Sequence, residues 1–179
     1  MDRTSLFSFP NPVNETAARI VAAGVVVQAV AFLVLREWWI LVPLTYGFAA
    51  RVATGPTLSP LGQFSTRVAT PWVERTLRGR NPAFESRRVA GPPKRFAQVI
   101  GLGFTVLASA AWVLGAPAIA IGLIAMLSVA ATLEAVLALC LGCVAYAAIW
   151  GCADCNDISD RLRQALTESR LPADAPARH

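Results

Sequence analysis

Three stretches of this chain are too apolar for a soluble fold to absorb. No charged residue occurs from Ile20 to Leu35 or from Phe96 to Leu114, and from Ala116 to Trp150 Glu134 stands alone. Runs of about 18 apolar residues are long enough to cross a bilayer as helix. A helix also satisfies its own backbone hydrogen bonds where no water is present. The chain is therefore expected to be an all-α integral membrane bundle, and its 55% hydrophobic and 15% charged residues agree. Ile20 to Leu35 is followed by Arg36-Glu37-Trp38-Trp39 and not by a small-residue cleavage site, so it reads as a retained helix and not a signal peptide.

Four transmembrane helices can be drawn. Residues 1–16 form a cytoplasmic N-terminal segment, and 17–54 a tight transmembrane hairpin turning at Arg36-Glu37, with Arg51 snorkelling at its end. Residues 55–95 form a basic loop, 96–150 a second helix pair, and 151–179 a cytoplasmic tail. With this division, 15 of the 16 Lys and Arg residues fall on one side, Arg36 being the exception. The positive-inside rule makes that side the cytoplasm, with both termini inside the inner membrane. Trp38, Trp39 and Trp112 then mark the outer boundary, and Trp72 and Trp150 the inner one. A fifth span would send the tail's arginines outside.

The net charge of +5 and pI near 9.6 belong to this loop pattern. No basic helix or recognition motif accompanies them, so no nucleic acid is expected as partner. In the loop, Phe64, Val68 and Trp72 recur every four residues beside Arg67, Arg75 and Arg78. Such spacing suits a short helix on the lipid surface, or an irregular loop if Pro71 breaks it.

The last apolar segment is too long for one straight span: Ala118 to Trp150 as helix would reach about 50 Å against a hydrocarbon core of about 30 Å. A long bent helix is expected, with Gly142 as the flexible point.

Around that point lie all four cysteines, as two C-x-x-C pairs, Cys140/Cys143 and Cys152/Cys155. Thiols three apart on a helix share a face and can close a disulfide or ligate a metal. Burial at the end of a long helix would raise the Cys140 pKa, unless the helix breaks and restarts there. A redox or sulfur-relay dithiol, ordinary buried packing and a four-thiolate metal site all remain open. Glu134 is the one acid inside a span and a candidate functional residue, protonated or hydrogen-bonded to Gln28, Gln98 or Tyr46. Gly101, Thr105 and Ser109 form a small-residue stripe suited to helix packing or to a transport path.

The chain resembles a small bacterial membrane family catalogued as domain of unknown function 4395, over roughly residues 10 to 150. The resemblance rests on Asn11-Pro12-Val13-Asn14-Glu15, Gly55-Pro56, Ser59-Pro60-Leu61-Gly62, Pro92-Pro93-Lys94-Arg95-Phe96-Ala97-Gln98, and Cys140-Leu141-Gly142-Cys143 followed by Tyr146. It implies thiol or sulfur chemistry, since members are associated with thioredoxin-like proteins and sulfurtransferases. The second cysteine pair lies outside the signature. The expected function is a membrane dithiol component in thiol redox or sulfur metabolism, working with such a partner through Cys140 and Cys143. The rivals are a subunit of a homo-oligomeric transporter for a small sulfur compound, and a noncatalytic scaffold. Nothing in the chain carries a nucleotide loop, a nucleophile and base pair, or a haem motif, so an autonomous enzyme or a resident cofactor is not expected.

Overall fold

Asn14 sets where the first helix begins. In the computed structural model, which describes residues 13–80, 88–89 and 91–150, its side-chain oxygen accepts from the backbone N–H groups of Thr16 at 2.9 Å and Ala17 at 3.3 Å. Those are two of the donors that a helix start leaves unmet. Helix α1 (Glu15–Leu35) follows and ends at Arg36, whose left-handed φ of 58° lets its N–H reach back to Phe32. Just before α1, strand β1 (Val13–Asn14) pairs antiparallel with β2 (Arg88–Val89), Val13 opposite Val89.

A 3-10 turn over Trp38–Ile40 leads into α2 (Leu41–Thr54), which Gly55 terminates at φ 65°. Beyond it, α3 (Pro60–Phe64), a π turn over Ser65–Ala69 and α4 (Thr70–Arg80) run on as one helical rod. Pro71 therefore does not break the helix. It has no N–H to give, and the widened turn in front of it, where Thr70 bonds five residues back to Ser65, absorbs the local mismatch. Phe64, Val68 and Trp72 all point outward, Trp72 being 70% exposed, as the surface-helix spacing predicts.

The remaining helices are α5 (Gly91–Val113), α6 (Pro117–Leu137) and α7 (Leu141–Trp150). Among the described residues three helices, α1, α5 and α6, are long and apolar enough to cross a membrane. The second predicted span is shorter: 14 residues of α2 rise about 21 Å, with the 3-10 turn in front of it adding one turn more. Nor do the first two helices form a closely packed hairpin. Helix α1 lies chiefly against α6, α6 against α5, and α5 against α2, so the lateral order is α1, α6, α5, α2.

Small residues permit these approaches. A Cβ on Gly101 would stand 2.2 Å from the ring of Phe48, so α5 and α2 can touch there only through glycine. Thr105 is fully buried and Ser109 lies 3.5 Å from the Thr45 hydroxyl, which makes the Gly101, Thr105, Ser109 stripe a packing face. Phe32, Leu44 and Ile124 fill the centre, and Trp112, expected at the outer boundary, meets Phe32 edge-on at 5.3 Å in a core contact. Trp38 and Trp39 stay exposed at the turn.

The bend in the last apolar segment is not at Gly142. Helix α6 stops at Ala138, held left-handed at φ 56°, with its N–H on the Glu134 carbonyl at 3.1 Å. A left-handed alanine costs roughly 1–2 kcal/mol. Arg19 of α1 offsets it, donating to the carbonyls of Ala135 at 3.0 Å and Val136 at 2.9 Å, at the end of a helix where positive charge is favoured. Gly142 has another duty. A Cβ there would fall 2.6 Å from the Cα of Ala97, so it lets α7 lie directly on α5.

Candidate dithiol site

The interruption at Ala138 places Cys140 immediately before α7, where a capping residue sits, and Cys143 in the first turn. The Cys140 carbonyl already accepts from Val144 at 3.1 Å. Cys143, one turn on, is the residue that acts most strongly on the Cys140 thiol. Both cysteines are free thiols, 3% and 6% exposed. The helix restart that sequence reasoning held as an exception is thus the arrangement present.

Electrostatics at the pair follow from this placement. Donation from Cys143 holds the Cys140 thiol below its ordinary range, outweighing the opposing effect of burial, with Lys94 assisting and Glu134 resisting. Cys143 is pushed up, first because its proton is engaged by Cys140 and then by burial. One thiol is readied to ionise and the other to stay protonated. A sulfur at the start of a helix is in the environment that acidifies cysteines in C-x-x-C redox sites.

Glu134 faces this site, but none of the three partners expected for it is the one it has. Lys94 Nζ, at the start of α5, donates to Glu134 Oε1 in an ion pair of which both side chains are largely buried. Gln28 is half-buried on α1 and does not bond Glu134, while Tyr46 donates to the carbonyl of Leu58 at 3.3 Å. Gln98 instead accepts from Arg51 Nε at 2.8 Å. Tyr146 packs its ring against Phe96 at 5.7 Å, seating α7 on α5.

Arg51 and Lys94 escaped sequence reasoning because both look like topogenic loop charges. Arg51 does not snorkel. It is 5% exposed, gives Nη1 to Ser59 Oγ at 3.2 Å and stacks its guanidinium 4.6 Å from the centre of the Phe48 ring. One signal was available: an acid deep in a span needs a partner, and Lys94 opens the neighbouring span.

A cavity of about 110 Å³ lies between α1, α5, α6 and α7, and Glu134, Cys140 and Gln98 line it. Cys152 and Cys155 lie outside the described residues, as does the four-thiolate site that needs them. Among the described residues no group of three or more His, Cys, Asp or Glu is arranged to hold a metal.

Fold and site together define an all-helical membrane protein with a buried dithiol at one end of its bundle. The chain belongs to the family described as domain of unknown function, DUF4395, whose model matches residues 13–150. No curated protein and no solved structure matches it. The residues that carry the family resemblance gather at the dithiol end: Asn14 caps α1, Ser59 caps α3, and Lys94 and Gln98 hold Glu134 and Arg51.

Proposed function

We propose that the protein is a membrane dithiol component of thiol redox or sulfur metabolism, exchanging through Cys140 and Cys143 with a soluble thioredoxin-like protein or sulfurtransferase. The observation that supports this most is the break at Ala138, which sets the buried free thiol of Cys140 at the start of α7 with that of Cys143 in its first turn. It supplies what a nucleophilic thiol needs and what a merely packed cysteine does not.

In the redox form, the Cys140 thiolate attacks one sulfur of a partner disulfide. An S–S bond forms to Cys140 and the partner's other sulfur leaves as thiolate. Once Cys140 is so bonded it no longer holds the Cys143 proton, and Cys143 can ionise. Cys143 then attacks Cys140, releasing the partner's second thiolate. The protein loses two electrons and two protons, and the partner disulfide gains the electrons. With a partner persulfide, Cys140 takes the outer sulfur and the partner leaves as thiolate; Cys143 then closes the disulfide and hydrosulfide departs. In both forms the chain is a carrier and not an enzyme acting alone.

Charge supports a site in the inner membrane with both termini cytoplasmic, since 15 of the 16 basic residues then lie inside. The dithiol lies at the end where α2 stops and α5 begins, which this topology puts on the cytoplasmic side, within reach of a soluble partner.

The test is disulfide trapping in cells, on a Cys152→Ala/Cys155→Ala background. Cys143→Ser should accumulate a mixed disulfide between Cys140 and a thioredoxin-like protein or sulfurtransferase, and Cys140→Ser should not. No mixed disulfide from either variant overturns the proposal.

A further inference from the structure

Arg51 is a buried cation, and Glu134, the carboxylate whose charge acts on it, is bonded to Lys94 instead. Its Nε serves Gln98 and its Nη1 serves Ser59, but Nη2 is enclosed and has no hydrogen-bond partner among the described residues. Among the described residues Arg51 has no ion pair. Lys94, the nearby cation, is committed to Glu134. Stranding a guanidinium edge away from water is costly, and an unpaired ionic group in a membrane bundle commonly marks a ligand.

Beside Arg51 is room for one. A cavity of about 200 Å³ opens between the starts of α1 and α5 and the turn after α2, lined by Arg51, Lys94, Gln98, Gly55, Pro56 and Thr66. A water occupies about 30 Å³, so this space takes a group of several heavy atoms. Arg51 and Lys94 less Glu134 leave one positive charge. The planar guanidinium, fixed by Gln98, Ser59 and Phe48, suits an oxyanion that offers two oxygens.

We infer that this cavity binds a small oxyanion bearing one negative charge, with Arg51 as its principal contact. Carboxylates, sulfonates and the phosphodiester of an anionic lipid headgroup share that chemistry. The cavity shares Ala18, Val21 and Gln98 with the one that reaches Cys140, so an anion held by Arg51 sits one side chain away from the dithiol chamber. The inference does not depend on the thiols exchanging with a partner.

Titration calorimetry on the purified full chain in a neutral detergent tests it, with acetate, methanesulfonate and dihexanoyl-phosphatidylglycerol as separate probes. The wild type should bind at least one saturably. Response to acetate or methanesulfonate identifies a free anion, and response to the lipid alone identifies a headgroup. Arg51→Gln should weaken binding ten-fold or more, the loss expected of a charge-assisted hydrogen bond. Arg51→Lys, which keeps the charge but not the fork, should fall between the two. Should Arg51→Gln fail to fold, Arg51→Lys and Gln98→Leu carry the test, both binding more weakly than wild type. No saturable binding of any probe by the wild type, or wild-type affinity in the folded Arg51 variants, overturns the inference.

Discussion

Lys94 and Glu134, forty residues apart, meet as an ion pair beside the thiols, and their charges act on Cys140 in opposite senses. Lys94 favours the thiolate and Glu134 opposes it. In protein free of the second cysteine pair, Lys94→Met should shift the alkylation of Cys140 to higher pH and Glu134→Gln to lower pH. Rate-versus-pH profiles with a small alkylating reagent check both signs. A shift in the same direction for both would contradict this geometry.

The ion pair should also be structural. Removing one member strands the other in a largely buried position, at a cost of roughly 3 kcal/mol. Glu134→Lys, which sets two lysines together, should be worse than Glu134→Gln. The double exchange Lys94→Glu/Glu134→Lys should recover part of the loss. Thermal unfolding in detergent reads all three, and additive losses would mean that the pair is not coupled.

Helix packing at the site rests on Gly142. Gly142→Ala puts a methyl group into the Ala97 backbone and must lift α7 from α5. Overpacking of this kind costs about 1–3 kcal/mol. Faster alkylation of Cys140 and Cys143 should accompany the loss of stability, because both thiols are buried under that contact. Unchanged labelling rates would show that α7 is not seated this way.

Apolar runs made the helices legible, since a charge-free stretch of that length has few other fates. Their lateral order was not, because nothing local tells α1 to lie on α6 in place of α2. The stop at Ala138 was also hidden. Alanine carries no turn signal, and what holds it left-handed is Arg19, more than a hundred residues earlier in the chain. Gly142 looked like a hinge because glycine serves both bends and close contacts, and sequence alone does not separate the two. The cysteines were visible as a pair, but their chemistry depended on the break in front of them. Arg51 and Lys94 were counted with the loop charges, and only their burial distinguishes them.

Topology offers a separate check. On a cysteine-free background, a thiol introduced at Leu114, beside the α5–α6 turn, should react with a membrane-impermeant reagent in intact cells. A thiol at Thr76 on α4 should react only after permeabilisation. The reverse pattern would invert the orientation and place the dithiol end outside.

Cys143 governs the acidity of Cys140 through its thiol donor. Cys143→Ala removes that donor and leaves burial and Glu134, which raise the Cys140 pKa, ahead of Lys94 and the backbone N–H, which lower it, so the Cys140 midpoint should rise above wild type and above that of Cys140 in unfolded protein. Alkylation rates followed against pH measure this. A midpoint that falls or stays put would mean that the two sulfurs do not interact.

The most direct test of the dithiol account is redox equilibration. Full-length protein with Cys152→Ala and Cys155→Ala should be held in a series of thiol–disulfide buffers, quenched with acid, alkylated and weighed by mass spectrometry. The account predicts one two-electron transition, the unlabelled disulfide and the doubly labelled dithiol interconverting with little singly labelled species. If both thiols remain fully alkylatable at the most oxidising poise, Cys140 and Cys143 are buried packing residues and the dithiol account is wrong.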